Sequence, residues 1–349
     1  MNSISRLAPP RLRRAGPHGP LALAVAALTA ACGGGGAGAA GDSSATASSS
    51  AGDGSGTPAA TAATGTVKCN ISDTGTQRLV YSWTAPGLTA TPVDETLSYQ
   101  AIWSCDSSTR LLTGNGVPNH AVTGGAFATK VSAQSISASF TLAPSAGSTT
   151  QVAVPGYAMN GVKFDPATAG TCPASATSDA NCNYAMGSDA WRMEALPGSV
   201  SPWQFDFGTD SSNAHVQPNG QYHYHGMPEG LMATLAGAGG SSMQLVGWAN
   251  DGFPIYARYG HTDATDASSA LKSMSGSYRV KASPDAGRPS TTYFPMGHFQ
   301  QDWEYVAGYG DLDECNGRTG VTPEFPDGIY HYYVTDTYPF VQRCVKGAL

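Results

Sequence analysis

Charged residues are scarce in this chain. Asp, Glu, Lys and Arg make up 12% of its 349 residues, against about 25% in an average soluble protein. The formal charge is −7, and four of the 18 basic residues are arginines within the first 14 positions. Without them the chain has 14 basic and 25 acidic residues and a net charge of −11. Such a composition lacks the basic surface that nucleic-acid binding requires, so we expect no nucleic-acid partner.

Several familiar catalytic motifs are also missing. The chain has no Gly-x-Ser-x-Gly elbow and no glycine-rich loop of the kind that holds phosphate. None of its cysteines has Cys-x-x-Cys spacing, which argues against a thiolate zinc site or a redox dithiol. The one long apolar run, Leu21 to Leu28, is too short to span a bilayer.

The N-terminus instead has the organisation of an export signal. Arg11, Arg13 and Arg14 precede the apolar run, and small residues lead into Cys32. This order resembles a bacterial lipobox and predicts a signal peptide over residues 1–31 with lipidation of Cys32; ordinary cleavage near Ala31 is the alternative. Residues 32–66 are then the lipidated cysteine and a flexible tether rich in Gly, Ala, Ser and Thr. Gly33 favours an outer-membrane lipoprotein, held in the cell envelope by a lipid anchor.

The cysteine count agrees with lipidation. Seven cysteines leave six once Cys32 is set aside, and six can all pair in an oxidising compartment. Their order along the chain favours three disulfides, although six cysteines allow fifteen pairings. The favoured pairs are Cys69–Cys105, Cys172–Cys182 and Cys315–Cys344.

Residues 67–349 have the pattern of a mainly β protein. Short runs rich in Val, Tyr and Trp alternate with Gly, Pro, Asn and Ser. We predict a single antiparallel β domain, sandwich or barrel-like, with long ordered loops and few short helices. The predicted strands are 79–83, 97–103, 135–142, 151–154, 244–248, 277–280 and 329–334, and the candidate helices are 228–235 and 264–274.

Three of the eight histidines lie within eleven residues, at His215, His223 and His225. Pro218-Asn219-Gly220 suits a three-residue hairpin loop that ends in a left-handed glycine. Counting outward from that loop places His215 opposite His223. Because side chains alternate along a strand, all three imidazoles are then expected on one face, with Tyr222 and Tyr224 on the other.

Three clustered imidazoles are typical of a transition-metal site. Zinc and copper both accept such a set, and a three-His site leaves a coordination position open. The alternative is a polar strand whose histidines only form hydrogen bonds within the fold. His120 is a candidate fourth ligand. Asp210, Tyr222 and Tyr224 are candidates for positioning the ligands. Asp251 and Glu314 are candidate general bases near the metal.

The histidine segment resembles the YHYH protein family, which is named for Tyr222-His223-Tyr224-His225. The resemblance extends over about Trp103 to Lys346 and includes several further motifs in the same order. It implies a secreted or surface protein and supplies no activity. The further motifs are Asn115-Gly116-Val117-Pro118-Asn119-His120, Asn160-Gly161-Val162, Asp251-Gly252-Phe253-Pro254-Ile255-Tyr256, Gly310-Asp311-Leu312-Asp313-Glu314-Cys315-Asn316-Gly317 and Thr322-Pro323-Glu324-Phe325-Pro326-Asp327-Gly328-Ile329-Tyr330.

Two functions remain open on the sequence. The first is a membrane-tethered lipoprotein with a three-His metal site, in which the metal assists hydrolysis or hydration. The second is a non-catalytic surface module that binds metal, glycan or protein. A carboxylate beside an open metal position would favour the enzyme, and a fourth protein ligand would favour the module.

Lipidation can be tested directly. Cys32→Ser removes the thiol that would carry the lipid, so the protein should be released in soluble form or remain unprocessed. Detergent partitioning of cell fractions measures this, with Cys69→Ser as the control for loss of an ordinary cysteine. A Cys32→Ser protein that partitions into membranes as fully as the wild type would contradict the prediction.

Overall fold

The computed structural model describes residues 64–84, 89–184, 187–196, 207–236 and 241–349. The predicted signal peptide, Cys32 and most of the predicted tether lie outside these residues. Thr64, near the end of the predicted tether, is buried, and its backbone N–H donates to Leu142 O at 2.7 Å. The described residues belong to one unit that runs from Gly56 to Leu349.

A buried arginine holds this first segment against the fold. The Arg110 guanidinium lies 3.4 Å from the ring centroid of Trp248 and donates to Val67 O at 2.9 Å. Burial lowers the pKa of Arg110 to about 10. These contacts fix the first described segment against the rest of the fold.

Five strands form the first large sheet. Alternating burial along the strand Ile71–Trp83 matches the two-residue period of a sheet with one face in the core. The order across the sheet is β4 (Val122–Phe127), β1 (Ile71–Trp83), β2 (Thr91–Cys105), β3 (Thr109–Gly114) and β5 (Ile136–Thr141).

Eight strands form the second large sheet, and the histidine hairpin lies at one of its edges. Most of these strands are short and buried on both faces. The order is β11 (Ala214–Val216), β12 (Tyr222–Tyr224), β8 (Lys163–Phe164), β7 (Gly156–Ala158), β13 (Gln244–Ala249), β14 (Pro254–Ala257), β20 (Ile329–Val334) and β19 (Gly317–Gly320).

The remaining described elements are small. The α-helix α1 (Glu229–Ala236) follows the histidine hairpin, and two 3-10 turns cover Asp179–Asn181 and Gln300–Asp302. No helix formed by the described residues has the length and apolar character needed to cross a bilayer. The two-stranded pairs are β9 (Thr171–Cys172) with β10 (Trp191–Arg192), β15 (Tyr259–His261) with β16 (Leu271–Ser273), β17 (Tyr278–Val280) with β18 (Trp303–Tyr305), and β6 (Ala146–Gln151) with β21 (Cys344–Gly347).

The core lies between the two large sheets. One apolar cluster joins Leu79 and Phe127 of the first sheet to Tyr222 and Val246 of the second. Another joins Trp103 of the first sheet to Trp248 of the second. Both sheets contribute side chains to both clusters. Each sheet therefore buries its apolar face against the other.

The mainly β fold is confirmed, and most strand pairs are antiparallel. Three pairs are parallel: β1 with β4, β8 with β12, and β14 with β20. The predicted helix 228–235 corresponds to α1, whereas the range predicted as a second helix, 264–274, consists of turns followed by β16. The strand predicted at 151–154 is displaced, since β6 ends at Gln151.

All three predicted disulfides are present. They join Cys69 to Cys105, Cys172 to Cys182 and Cys315 to Cys344, with separations of 36, 10 and 29 residues. The third pair ties the start of β21 to the segment before β19, and both of its cysteines are buried.

Removing the third disulfide should measurably destabilise the protein. Changing both Cys315 and Cys344 to Ala opens the loop between them in the unfolded chain, which should lower the free energy of unfolding by about 3–4 kcal/mol. Urea denaturation measures this loss. Changing Cys172 and Cys182 to Ala opens a shorter loop, so it should lower the free energy of unfolding by a smaller amount. Equal losses, or a larger loss at the shorter loop, would contradict loop closure as the cause.

Candidate metal centre

The histidine hairpin has the register that the loop predicts. His215 is paired with His223 and Val216 with Tyr222, and the Gln217 N–H donates to Gln221 O at 2.9 Å. Gly220 closes the loop at a φ of 87°, in the left-handed region that glycine adopts without strain. A Cβ at Gly220 would lie 2.0 Å from Ser132 Oγ. The loop therefore requires glycine for space as well as for conformation.

The three imidazoles form a compact triangle on one face of β11 and β12. Each pair of ring centroids is separated by 4.6 Å. The Nε2 atoms of His215 and His225 are 3.0 Å apart, and one ligating nitrogen from each ring lies within 4.8 Å of the others. His223 and His225 are 2% exposed, whereas His215 is partly exposed. Access from solvent is therefore greatest at His215.

Backbone carbonyls set the tautomer of two rings. His215 Nδ1 lies 3.0 Å from Phe207 O, and His223 Nδ1 lies 3.2 Å from Gln221 O. Because a carbonyl only accepts, Nδ1 is the protonated nitrogen in both rings, which leaves a lone pair on each Nε2. This is the usual arrangement behind a metal-ligating histidine.

Hydrogen bonding within the protein leaves one nitrogen of the cluster unsatisfied. Among the described residues, His225 Nδ1 is buried without a hydrogen-bond partner. Buried polar atoms are seldom left in this state without a functional reason. The observation argues against the alternative in which these histidines only form hydrogen bonds within the fold.

The surroundings keep the two buried rings neutral. Burial lowers the pKa of His223 well below its usual value, and the positive charges of neighbouring groups, His215 and Lys163 among them, add to the effect. Burial likewise lowers the pKa of His225, assisted by His223, His215, Arg343 and Lys163. A neutral imidazole keeps the lone pair that a metal requires.

The tyrosine face of β12 is held by hydrogen bonds. Tyr222 OH donates to Asp210 Oδ2 at 2.5 Å, and burial raises the pKa of Asp210 to about 6. Tyr224 OH lies 2.6 Å from His120 Nε2 and accepts from Asn160 Nδ2 at 2.9 Å. Both tyrosines are fully buried. Their hydroxyls fix the strand, and the strand in turn fixes the three imidazoles.

Two of the sequence-predicted site residues therefore have different roles. His120 is not placed to be a fourth ligand, because its Nε2 faces Tyr224 on the opposite side of β12. Asp210 does not orient an imidazole, because its oxygens accept from Tyr222 OH and from the N–H groups of Ser212 and Ala214. Tyr222 and Tyr224 lie on the predicted face.

The two candidate general bases lie elsewhere. Asp251 Oδ2 accepts from Tyr332 OH at 2.5 Å and from Gly347 N at 2.9 Å. Tyr332 belongs to β20, which is separated from β12 by four strands of the sheet, or roughly 24 Å at ordinary strand spacing. Glu314 pairs with Lys346 and accepts from Thr149 Oγ1. The structure does not bring either carboxylate to the histidines.

Lys163, Asp165 and Gln217 are residues that sequence reasoning missed. Lys163 of β8 is paired with His223 of β12, and Asp165 N–H donates to Tyr224 O at 2.9 Å. Lys163 and Asp165 flank the buried Phe164, so the polar–apolar alternation was visible in the sequence. Nothing in the sequence indicated that this short strand adjoins the histidine strand.

The role of the tyrosine face can be tested by Tyr224→Phe. The change leaves His120 Nε2 without its buried partner and removes one of the two acceptors of Asn160 Nδ2, so it should lower the free energy of unfolding by about 1–3 kcal/mol. It should leave the three imidazoles in place, because Tyr224 points away from them. Thermal unfolding and zinc titration measure the two effects, with Tyr309→Phe at a 61% exposed site as the control. Loss of metal binding in a folded Tyr224→Phe protein would contradict this separation of roles.

Comparison with known proteins adds family membership only. No curated protein and no solved structure matches the chain. The profile described as YHYH protein matches residues 134–347, which include the histidine hairpin, Lys163, Asp165 and the two carboxylates at Asp251 and Glu314. The motif that contains His120 lies before the matched range. Because the match covers more than half of the chain, the protein belongs to the YHYH protein family.

Proposed function

We propose that this protein binds a transition metal, zinc or copper, through His215, His223 and His225. The single observation that carries the proposal is the convergence of three imidazoles, one ligating nitrogen of each lying within 4.8 Å of the others, with His225 Nδ1 buried and without a hydrogen-bond partner among the described residues. The tautomers of His215 and His223 support it, because each places the lone pair, which a metal requires, on Nε2.

The spacing of the nitrogens fits such an ion. Two ligands of a tetrahedral metal with bonds of 2.0–2.1 Å are about 3.3 Å apart. His215 Nε2 and His225 Nε2 are 3.0 Å apart, which differs from that value by a few tenths of an ångström. In the metal-free protein the same two atoms share a hydrogen bond, so the pair is held together before an ion binds.

The proposed site has three protein ligands among the described residues. Among the described residues, no additional His, Cys, Asp or Glu lies within the cluster, which favours an open coordination position over a closed structural site. Bound zinc or copper would supply Lewis acidity at that position. We propose metal-assisted hydrolysis or hydration as the corresponding reaction class, in a lipoprotein tethered in the cell envelope.

A non-catalytic surface module that binds metal, glycan or protein is the second candidate. One observation favours it: both carboxylates expected to act as general bases, Asp251 and Glu314, are bound to partners away from the histidines. Among the described residues, Asp165 adjoins the histidine strand, since its N–H donates to Tyr224 O; general-base catalysis by the Asp165 carboxylate would favour the enzyme.

Metal binding is tested by single histidine substitutions. His215→Ala, His223→Ala and His225→Ala each remove one ligand, and each should weaken zinc or copper binding by at least the roughly tenfold to hundredfold that loss of an outer-shell partner typically costs. Equilibrium dialysis followed by elemental analysis measures this on protein prepared without a histidine tag. His261→Ala is the control, because His261 bonds to Ser269 O in a separate strand pair.

The proposal is rejected if the untagged wild-type protein binds neither zinc nor copper at neutral pH. It is also rejected if His261→Ala reduces binding as much as the three cluster substitutions do. Loss of binding confined to the three cluster variants, with unchanged folding, would support it.

A further inference from the structure

A closed polar network lies on the histidine face of the sheet. Lys163 Nζ donates to Asp165 Oδ2 at 2.8 Å and to Gln217 Oε1 at 3.0 Å, and Gln217 Nε2 donates to the same Asp165 oxygen at 2.9 Å. The Lys163 and Asp165 side chains are 8% and 11% exposed. The network is therefore a largely buried, hydrogen-bonded part of the fold.

Its position follows from the strand order. Lys163 belongs to β8 and Gln217 follows β11, and β12 lies between these two strands. A network that joins Gln217 to Lys163 must therefore pass over β12 on the side where His223 points. Neighbouring strands are about 4.8 Å apart, so side chains in paired positions lie next to each other. Lys163 is paired with His223.

Hydrogen-bonding capacity remains on both charged groups. An ammonium has three donors, and the contacts of Lys163 use two of them. Both bonds to Asp165 end on Oδ2, so Oδ1 receives no hydrogen bond from the described residues. The network thus offers one donor and one acceptor next to the strand position of His223.

The charge balance of the region is incomplete once a metal binds. Lys163 is paired with Asp165, and Arg343, whose charge also acts on His225, is paired with Glu194 at 2.8 Å. Three neutral imidazoles bring no negative charge, and no carboxylate of the described residues joins their cluster. A divalent ion would add two positive charges in a mostly buried place. A buried charge without compensation is costly, so a bound anion should supply the balance.

We propose that the metal site takes a small oxygen-donor anion as its exogenous ligand, with the Lys163 ammonium as the second anchor of that anion. This inference rests on the proposed metal site and names its ligand class. Asp165 limits the affinity, because its carboxylate competes with the anion for the same ammonium.

Cobalt and acetate are the probes for this test. Cobalt(II) is loaded into the full-length protein, and acetate is titrated while the visible absorption of the metal is recorded. Equal concentrations of perchlorate, which coordinates metals weakly, control for ionic strength. Acetate should shift the spectrum with a saturable dependence, and perchlorate should not.

Two substitutions should act in opposite directions. Lys163→Gln removes the second anchor and should weaken acetate binding by about tenfold. Asp165→Asn frees Lys163 from its competitor while keeping the side-chain shape, and it should strengthen acetate binding by about threefold to tenfold. General damage to the site would weaken binding in both variants. Lys281→Gln is the matched control, because Lys281 pairs with Asp285 outside the eight-stranded sheet.

The outcomes separate the two proposals. If the wild-type protein binds no cobalt, zinc or copper, the metal site itself is rejected, and this inference is rejected with it. If cobalt binds but acetate leaves its spectrum unchanged, the metal site stands and the anion proposal is overturned. The anion proposal is also overturned if Lys163→Gln and Asp165→Asn change acetate affinity in the same direction, or if Lys281→Gln matches Lys163→Gln.

Discussion

The alternation of side chains along β12 is the constraint on which the candidate site depends. Tyr222 and Tyr224 occupy the core face, where each hydroxyl has a buried partner. His223 and His225 occupy the other face, where each ring centroid lies 4.6 Å from that of His215. A shift of one residue would exchange the two faces, leaving both hydroxyls unpaired and placing imidazoles in the core. The tyrosines therefore fix the position of the histidines.

This arrangement also links segments that are far apart in the sequence. Tyr224 OH is bonded to His120, which is 104 residues away, and to Asn160. Asn160 Nδ2 also lies 3.0 Å from Asn119 Oδ1. Two motifs that contain Asn-Gly-Val thus meet behind the histidine strand. Their side chains support the site without facing it.

The features that could be predicted from the sequence are those that depend on residues close together in the chain. The register of the histidine hairpin follows from the three residues of its loop, and the strand at Ile329–Val334 follows from its composition and flanking residues. The partners of His120, Asp210 and Asp251 could not be predicted, because each is a tyrosine brought close by tertiary packing. An isolated acid or histidine carries no sequence pattern that distinguishes a metal ligand from a buried hydrogen-bond partner of tyrosine.

Two errors in the secondary structure have specific causes. Residues 264–274 have helical composition, but Asp263 Oδ1 accepts from Thr265 N and Asp266 Oδ1 accepts from Ser268 N, at 2.9 and 2.8 Å. Side chains that capture backbone N–H groups in this way stabilise turns in place of a helix. The strand β6 was displaced in the prediction because it is mostly exposed and polar. Its pairing with β21 depends on residues almost 200 positions away.

The two faces of β12 make different contributions to the protein. On the tyrosine face, burial and satisfied hydroxyls contribute to folding. On the histidine face, the buried Nδ1 of His225 has no hydrogen-bond partner among the described residues, which costs stability that the rest of the core must offset. In an otherwise well-packed sheet, a buried polar atom without a hydrogen bond is expected at a binding site, where function is kept at a cost in stability. The same strand therefore separates the residues that hold the fold together from those available to a metal.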